Sequence, residues 1–232
     1  MLVDFFKGFA NLFYPNTCAV CDNDLVKGED ALCLGCLYKL PLTRFWNERD
    51  NAVAQTFWGR VDIENACAYF FFAKGSNYQQ LLHKLKYKGE KQIGISLGKQ
   101  LGSVLAKSDL YSGIDYVVPV PLHNKKLRIR GYNQAEVIAQ GVCQAYNAKL
   151  LTNVLVRTEF TQTQTKKTRE ERAQNVAQAF AVNAPEVFSH KHILLIDDVV
   201  TTGATLEACA SKLLVSAGCK VSVATLAYAA SG

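Results

Sequence analysis

The sequence predicts an α/β protein: a doubly wound parallel sheet preceded by a small amino-terminal module held by four cysteines. Three observations carry this expectation. From Ala66 onward, short apolar runs alternate with segments of helical periodicity, the mark of parallel strands covered on both faces. Near the amino terminus, Cys18, Cys21, Cys33 and Cys36 form a single C-x2-C-x11-C-x2-C pattern. Near the carboxyl terminus, the apolar run Ile193 to Ile196 leads directly into two adjacent acids and a turn rich in hydroxyls and glycine.

The bulk composition fits this division. A chain of 232 residues, 49% hydrophobic and 20% charged, can bury one substantial core with a small appendage. The early apolar stretch Met1 to Tyr14 is interrupted by Asp4, Lys7 and Asn11, lacks a basic leader and is too short to span a bilayer. No membrane span and a cytoplasmic location are therefore expected. In that reducing compartment the eight cysteines should be free thiols or metal ligands. The formal charge of +6 gathers at Lys84–Lys91, Lys125–Arg130 and Lys166–Arg172. Three such clusters flanking one site point to a polyanionic ligand, a phosphorylated sugar or single-stranded nucleic acid.

The elements follow in order. Residues 1–62 read as the cysteine module, opened by an amphipathic helix with Leu2, Phe5, Phe6, Phe9 and Phe13 on one face, and 63–232 as the sheet domain. Ala66 to Ala73 predicts a strand; Tyr78, Leu81, Leu82 and Leu85 recur at helical spacing, as do Leu97, Leu101 and Leu105 in a helix over Ile93 to Ala106. Ile114 to Val120 predicts a strand, followed by a basic loop and a helix carrying Ala135, Ile138, Val142 and Ala145. Leu150 to Val156 reads as a further strand, and the polar stretch Arg157 to Arg172 as a lid. His192 to Ile196 predicts a buried strand. A helix striped by Leu206, Ala210, Leu213 and Ala217 and ended by Gly218 follows, then a strand over Val221 to Leu226.

In the cysteine pattern each close pair can grip one metal ion from a tight knuckle, while a hairpin around Asn23 to Gly28 closes the tetrahedron. Zinc suits four thiolates, and four protein ligands leave no open position for a substrate, so the expected site is structural. The residues alone leave an iron–sulfur cluster open. Cys67, Cys143, Cys209 and Cys219 are scattered among apolar neighbours and read as small buried hydrophobes.

Asp197 and Asp198 stand where a buried strand meets the carboxyl edge of the sheet, the place where open α/β sheets bind ligands. Adjacent carboxylates repel unless something cationic or hydroxylic engages them, and a ribose diol or a magnesium-bound sugar would do so. Val199 and Val200 lead to Thr201, Thr202, Gly203, Ala204 and Thr205, which place small residues and hydroxyls at a helix amino end, where free N–H groups and the dipole favour a phosphate. Neither G-x-x-x-x-G-K-[ST] nor G-x-G-x-x-G occurs, so the common nucleotide-binding loops are not supported.

The segment Ile193 to Thr205 resembles the phosphoribosyl pyrophosphate signature of type I phosphoribosyltransferases. Taken with the four-cysteine finger, Leu85-Lys86-Tyr87-Lys88-Gly89, Pro119-Val120-Pro121-Leu122, Arg130 to Ala135 and Thr161-Gln162-Thr163, nearly the whole chain resembles the ComF family of competence-associated proteins. The resemblance implies a type I phosphoribosyltransferase fold in which Thr201, Thr202, Gly203, Ala204 and Thr205 hold the 5-phosphate and Asp197 and Asp198 the ribose hydroxyls, with Val199 and Val200 in the same ligand-binding segment. It further implies phosphoribosyl pyrophosphate with magnesium as ligand, a structural zinc, and a link to incoming DNA during natural transformation. Thr201 stands where purine-salvage relatives carry an aspartate, which argues against a purine acceptor.

For the remaining positions the residues leave two roles open. Lys125 and Arg128 can meet a magnesium-chelated pyrophosphate or stay solvated. Tyr132, Asn133 and Gln134 can orient an acceptor or cap a helix, and Lys86 and Tyr87 can belong to a hood over the acceptor or to an ordinary amphipathic helix. Two functions fit these motifs. One is a transferase that releases pyrophosphate as phosphoribose passes to an acceptor. The other is a non-catalytic module that senses the sugar phosphate or binds single-stranded DNA or a competence helicase.

Overall fold

The computed structural model describes residues 16–73, 75–158 and 179–230. The apolar face predicted between Leu2 and Phe13 and most of the predicted lid lie outside the described residues. The helices are α1 (Leu34–Tyr38), α2 (Ala52–Gln55), α3 (Gln79–Tyr87), α4 (Lys91–Leu105), α5 (Asn124–Arg130), α6 (Gln134–Ala145) and α7 (Ala204–Leu213). The strands are β1 (Ala66–Phe71), β2 (Tyr116–Pro119), β3 (Lys149–Leu150), β4 (Leu155–Arg157), β5 (Phe180–Val182), β6 (His192–Val200) and β7 (Lys220–Tyr228). Five of them make a parallel sheet in the order β1-β7-β6-β2-β3, and β4 and β5 form a separate antiparallel pair.

The period-2 alternation of strand side chains divides the core in two. Leu194 and Ile196 of β6 face one layer, with Leu81 and Leu85 of α3, Leu97 and Leu101 of α4, and Ile138 and Val142 of α6. Ile193 and Leu195 face the other, with Val53 of α2 and Leu206 and Leu213 of α7. Within the first layer α4 and α6 meet almost backbone to backbone: a Cβ on Gly141 would lie 2.2 Å from the carbonyl oxygen of Ile95. The sheet is doubly wound, as predicted.

Strand order fixes where a site can form. From β2 the chain moves outward to β3, and from β6 it moves the other way to β7, so the connections diverge between β2 and β6. At such a switch point a crevice opens outside the carboxyl ends of the strands. Pairing of β2 with β6 stops at Pro119 opposite Ile196, while β7 accompanies β6 as far as Val200 opposite Tyr228.

The amino-terminal residues pack against this frame. Cys18, Val20, Leu32, Leu40 and Trp46 join the first core layer. The Phe71 N–H donates to the Pro41 carbonyl at 2.8 Å, and the Asn51 side chain caps α2 while donating to the Ala66 carbonyl at 2.8 Å.

Four local expectations change. The predicted basic loop contains a helix, α5, capped by the His123 side chain at one end and by Gly131 at φ +75° at the other. It buries none of its residues and so carried no apolar stripe to reveal it. The predicted strand over Leu150 to Val156 is broken at Asn153, whose φ is +63°; its first part edges the main sheet and its second pairs with β5. The strand predicted to end at Ile196 runs on to Val200, because β7 keeps pairing with it through the acids. The helix predicted to reach Gly218 ends at Leu213, and Gly218 sits at φ +64° in a later turn.

Candidate functional site

Among the cysteines, Cys18 and Cys21 flank a tight turn and Cys33 and Cys36 open α1. The Cys18 N–H donates to the Asn23 carbonyl at 2.8 Å and the Ala19 N–H to the Ala31 carbonyl at 2.9 Å, which brings the pairs together. Glu29 closes the intervening turn by accepting from the N–H groups of Val26 at 2.9 Å and Leu34 at 2.7 Å. The four sulfurs lie within 4.8 Å of one another, with the Sγ atoms of Cys21 and Cys33 3.8 Å apart. A tetrahedron of thiolates about 2.3 Å from a central ion has edges of about 3.8 Å, so the donor set fits one metal ion such as zinc.

The thiols interact strongly. Burial opposes ionisation of Cys18, but N–H groups of Cys33, Cys21 and Val20 outweigh it and hold its thiol at about 6. Burial, contacts with the other sulfurs and the charge on Cys18 push Cys36 well up. A cation among them removes that conflict. By contrast Cys67, Cys209 and Cys219 are buried and Cys143 is half-buried, with burial pushing the Cys143 and Cys219 thiols up to about 11, in keeping with a packing role.

At the switch point, β6 delivers Asp197 one residue past its last pairing with β2, opposite Thr225 of β7. Asp197 Oδ1 accepts from the Asp198 N–H at 2.8 Å. Desolvation, then the Asp198 charge, pushes the Asp197 carboxyl up to about 7, with the Asp198 N–H and the charges of Lys86 and Lys126 opposing. A carboxylate in that condition gains from a hydroxylic or cationic ligand.

Thr201 and Thr202 then stand exposed, and Gly203 turns the chain into α7 at φ +71°. A Cβ on Gly203 would come within 2.9 Å of the Phe57 ring and 3.1 Å of Thr56 Oγ1, so both its conformation and its packing demand glycine. Residues 199–206 with Asp197 line a cleft of about 80 Å³. A larger cleft of about 620 Å³, between residues 49 and 66, contains none of the predicted residues.

The remaining motifs converge on the same edge. Lys86 Nζ of α3 is 3.0 Å from Asp198 Oδ2. The Tyr132 hydroxyl donates to the Leu85 carbonyl, the Arg130 guanidinium lies 5.3 Å from the centre of the Tyr87 ring, and Lys91 lies 5.1 Å from that of Tyr132. Asn133 caps α6 by accepting from the Ala135 N–H at 3.1 Å and donates to the Val120 carbonyl at 2.9 Å. Gln134 is buried and accepts from Arg130 at 2.7 Å. Tyr132, Asn133 and Gln134 thus fasten the connection after β2. Lys125 and Arg128 are exposed on α5, and the neighbouring Lys126 is the α5 cation whose field reaches Asp197.

Thr56, Phe57 and Arg60 were not singled out by the sequence as site residues, yet they brace the threonine loop from behind. Arg60 donates to the carbonyls of Thr56 at 2.8 Å and Thr202 at 2.9 Å and pairs with Glu207. A contact across 142 residues leaves no local motif.

Residues 133–232 match the model of the phosphoribosyl transferase domain. Competence protein F of Haemophilus influenzae is 39% identical over 100 residues, covering 42% of this chain and 43% of that protein. Over that stretch the chain is similar to a competence protein. DNA utilization protein YhgH of Escherichia coli K12 is 29% identical over 146 residues, covering 62% of this chain and 63% of that protein. Competence protein ComFC of Bacillus subtilis is 28% identical over 137 residues, 59% of this chain and 53% of that protein. The matched stretches therefore span between 43% and 63% of these relatives.

Among solved structures, a glutamine phosphoribosylpyrophosphate amidotransferase from B. subtilis is similar over 60% of this chain and 29% of its own, with TM-score 0.41 and 18% identity. A hypoxanthine phosphoribosyltransferase from Staphylococcus aureus overlaps 60% of this chain and 64% of its own, with TM-score 0.38 and 17% identity. The chain pairs a phosphoribosyltransferase-like domain, matched over residues 133–232, with an amino-terminal four-cysteine cluster. Among the described residues, no helix is long and apolar enough to cross a membrane.

Proposed function

We propose that the crevice at the β2/β6 switch point binds phosphoribosyl pyrophosphate with magnesium and transfers its phosphoribosyl group to an acceptor, releasing pyrophosphate. The observation that carries the reading is the run of β6 through two adjacent acids, the first of them desolvated, into a glycine-turned helix amino end. Free N–H groups and hydroxyls of residues 201–205 would hold the 5-phosphate. Asp197 and Asp198 would accept hydrogen bonds from the ribose hydroxyls, with Lys86 releasing Asp198 as the sugar enters. Lys126, with Lys125 and Arg128, would face the pyrophosphate, where bound magnesium supplies charge neutralisation. The two acids also lie where they can offset positive charge gathering on the sugar ring as the bond at C1 lengthens.

The four-cysteine cluster would hold a structural zinc in the module of residues 1–62, and residues 63–232 would form the transferase domain. The names of the relatives, competence protein and DNA utilization protein, support a link to DNA uptake, with single-stranded DNA or a helicase as partner. Tyr87 and Lys86 would border the acceptor, whose non-purine character is supported by Thr201.

Pyrophosphate release from phosphoribosyl pyrophosphate and magnesium, screened across acceptors, tests the transferase. Release that depends on one acceptor and disappears in D197N/D198N is expected. No release with any acceptor, together with salt-sensitive binding of single-stranded DNA, would favour the binding-module reading.

A further inference from the structure

We infer that Arg60, contributed by the segment that connects the four cysteines to β1, is a positioning residue for the phosphate loop; the inference rests on the ligand reading above. Its guanidinium spans three groups: the Thr56 carbonyl at 2.8 Å, the Thr202 carbonyl at 2.9 Å, and the Glu207 carboxylate. The rigid fork of arginine makes these bonds from two separate nitrogens, whereas a lysine would have to make all of them from one.

The bond to Thr202 sets the direction of an amide. The Thr202–Gly203 peptide is planar and trans, so drawing its carbonyl toward Arg60 turns the Gly203 N–H to the opposite side of the loop. Arg60 is not among the residues lining the cleft of Asp197 to Leu206, so it shapes the anion site without occupying it. Phe57 lies against Gly203 from the same connector, which leaves that peptide little freedom to rotate.

The bond to Glu207 has a separate consequence. Glu207 stands in the first turn of α7, and its charge would oppose an anion held at that helix end. Pairing with Arg60 offsets it. The connector therefore both orients the loop and corrects its electrostatics, although it lies 142 residues away in sequence.

Amide hydrogen exchange of residues 201–207, read beside calorimetric titration with phosphoribosyl pyrophosphate and magnesium, tests this in wild type, Arg60→Ala, Arg60→Lys and Glu207→Gln. Arg60→Ala is expected to speed exchange of the loop and weaken affinity, each about tenfold, with exchange in β7 unchanged. Arg60→Lys should fall between it and wild type, and Glu207→Gln should lose affinity while keeping most loop protection. Should Arg60→Ala fail to fold, wild-type exchange and affinity in both other variants would overturn the inference. Wild-type loop exchange in a folded Arg60→Ala would also overturn it. If wild type binds no phosphoribosyl pyrophosphate while Arg60→Ala still loosens the loop, the ligand reading falls and the clamp stands.

Discussion

The four-cysteine knuckle and the proposed phosphate loop are both built around short motifs, but they are held in different ways. The knuckle is made almost wholly by residues 17–36, with its sulfurs oriented by neighbouring N–H groups such as that of Cys33, which donates to Cys18 Sγ at 3.3 Å. The threonine loop with its preceding acids depends on distant chain: Phe57 beneath Gly203, Arg60 on Thr202, and Lys86 on Asp198. A side-chain ligand set needs only spacing, whereas a backbone cradle needs its peptide planes fixed from outside.

The two sites meet on α3. Tyr78 donates to the Cys36 carbonyl at 3.0 Å, Gln80 to the Val20 carbonyl at 2.7 Å, and Lys84 approaches Asp22 at 3.5 Å, two residues before Lys86 reaches Asp198. The largest expected effect breaks the knuckle. Cys36→Ser should abolish stoichiometric metal content by elemental analysis and cost the module more than about 4 kcal/mol. Faster exchange in α3 but not in β6 would show how far the damage spreads.

The next effect falls on the loop. Gly203→Ala should destabilise the protein by about 1 to 3 kcal/mol in denaturant unfolding, because alanine must adopt φ +71° and its Cβ must displace the Phe57 ring. A loop held only by local sequence would show the conformational cost alone, and Phe57→Ala would then bring no relief.

A pH-dependent effect follows from Asp197. Its folded value of about 7 lies above the ordinary 3.8, so the folded state holds the proton more tightly. That contribution to stability is complete below about pH 4 and is lost as pH rises through 7. Asp197→Asn removes the dependence, so its melting curves should converge with wild type in acid and gain on it toward pH 8. The difference near neutrality should be about 1 kcal/mol once solvent screening at the sheet edge is allowed for. The smallest effect is Asn133→Ala, which removes the α6 cap and should cost about 1 kcal/mol or less in thermal unfolding.

What the sequence made legible follows the same contrast. The knuckle, the β6 acids and the threonine loop could be read because each is contiguous. The helices α4 and α6 could be read because each buries a stripe, Leu97 and Leu101 in one and Ile138 and Val142 in the other. The helix α5 escaped because its side chains face solvent, and the break at Asn153 escaped because an apolar run does not reveal a left-handed residue. Asn133 could be seen as a cap or an acceptor contact, and its two bonds show the cap. Arg60 reaches the site through tertiary contacts alone, which no spacing rule records, and Lys86, legible as a hood candidate, gave no sign of its pairing with Asp198.

The central claim is that the acids at the end of β6 and the loop after them grip an activated pentose phosphate. Calorimetric titration of the full chain with phosphoribosyl pyrophosphate and magnesium, wild type against D197N/D198N, tests it most directly. Saturable one-to-one binding by wild type, weakened about a hundredfold in the double variant, is the predicted result. Equal affinity in the two proteins would contradict the account.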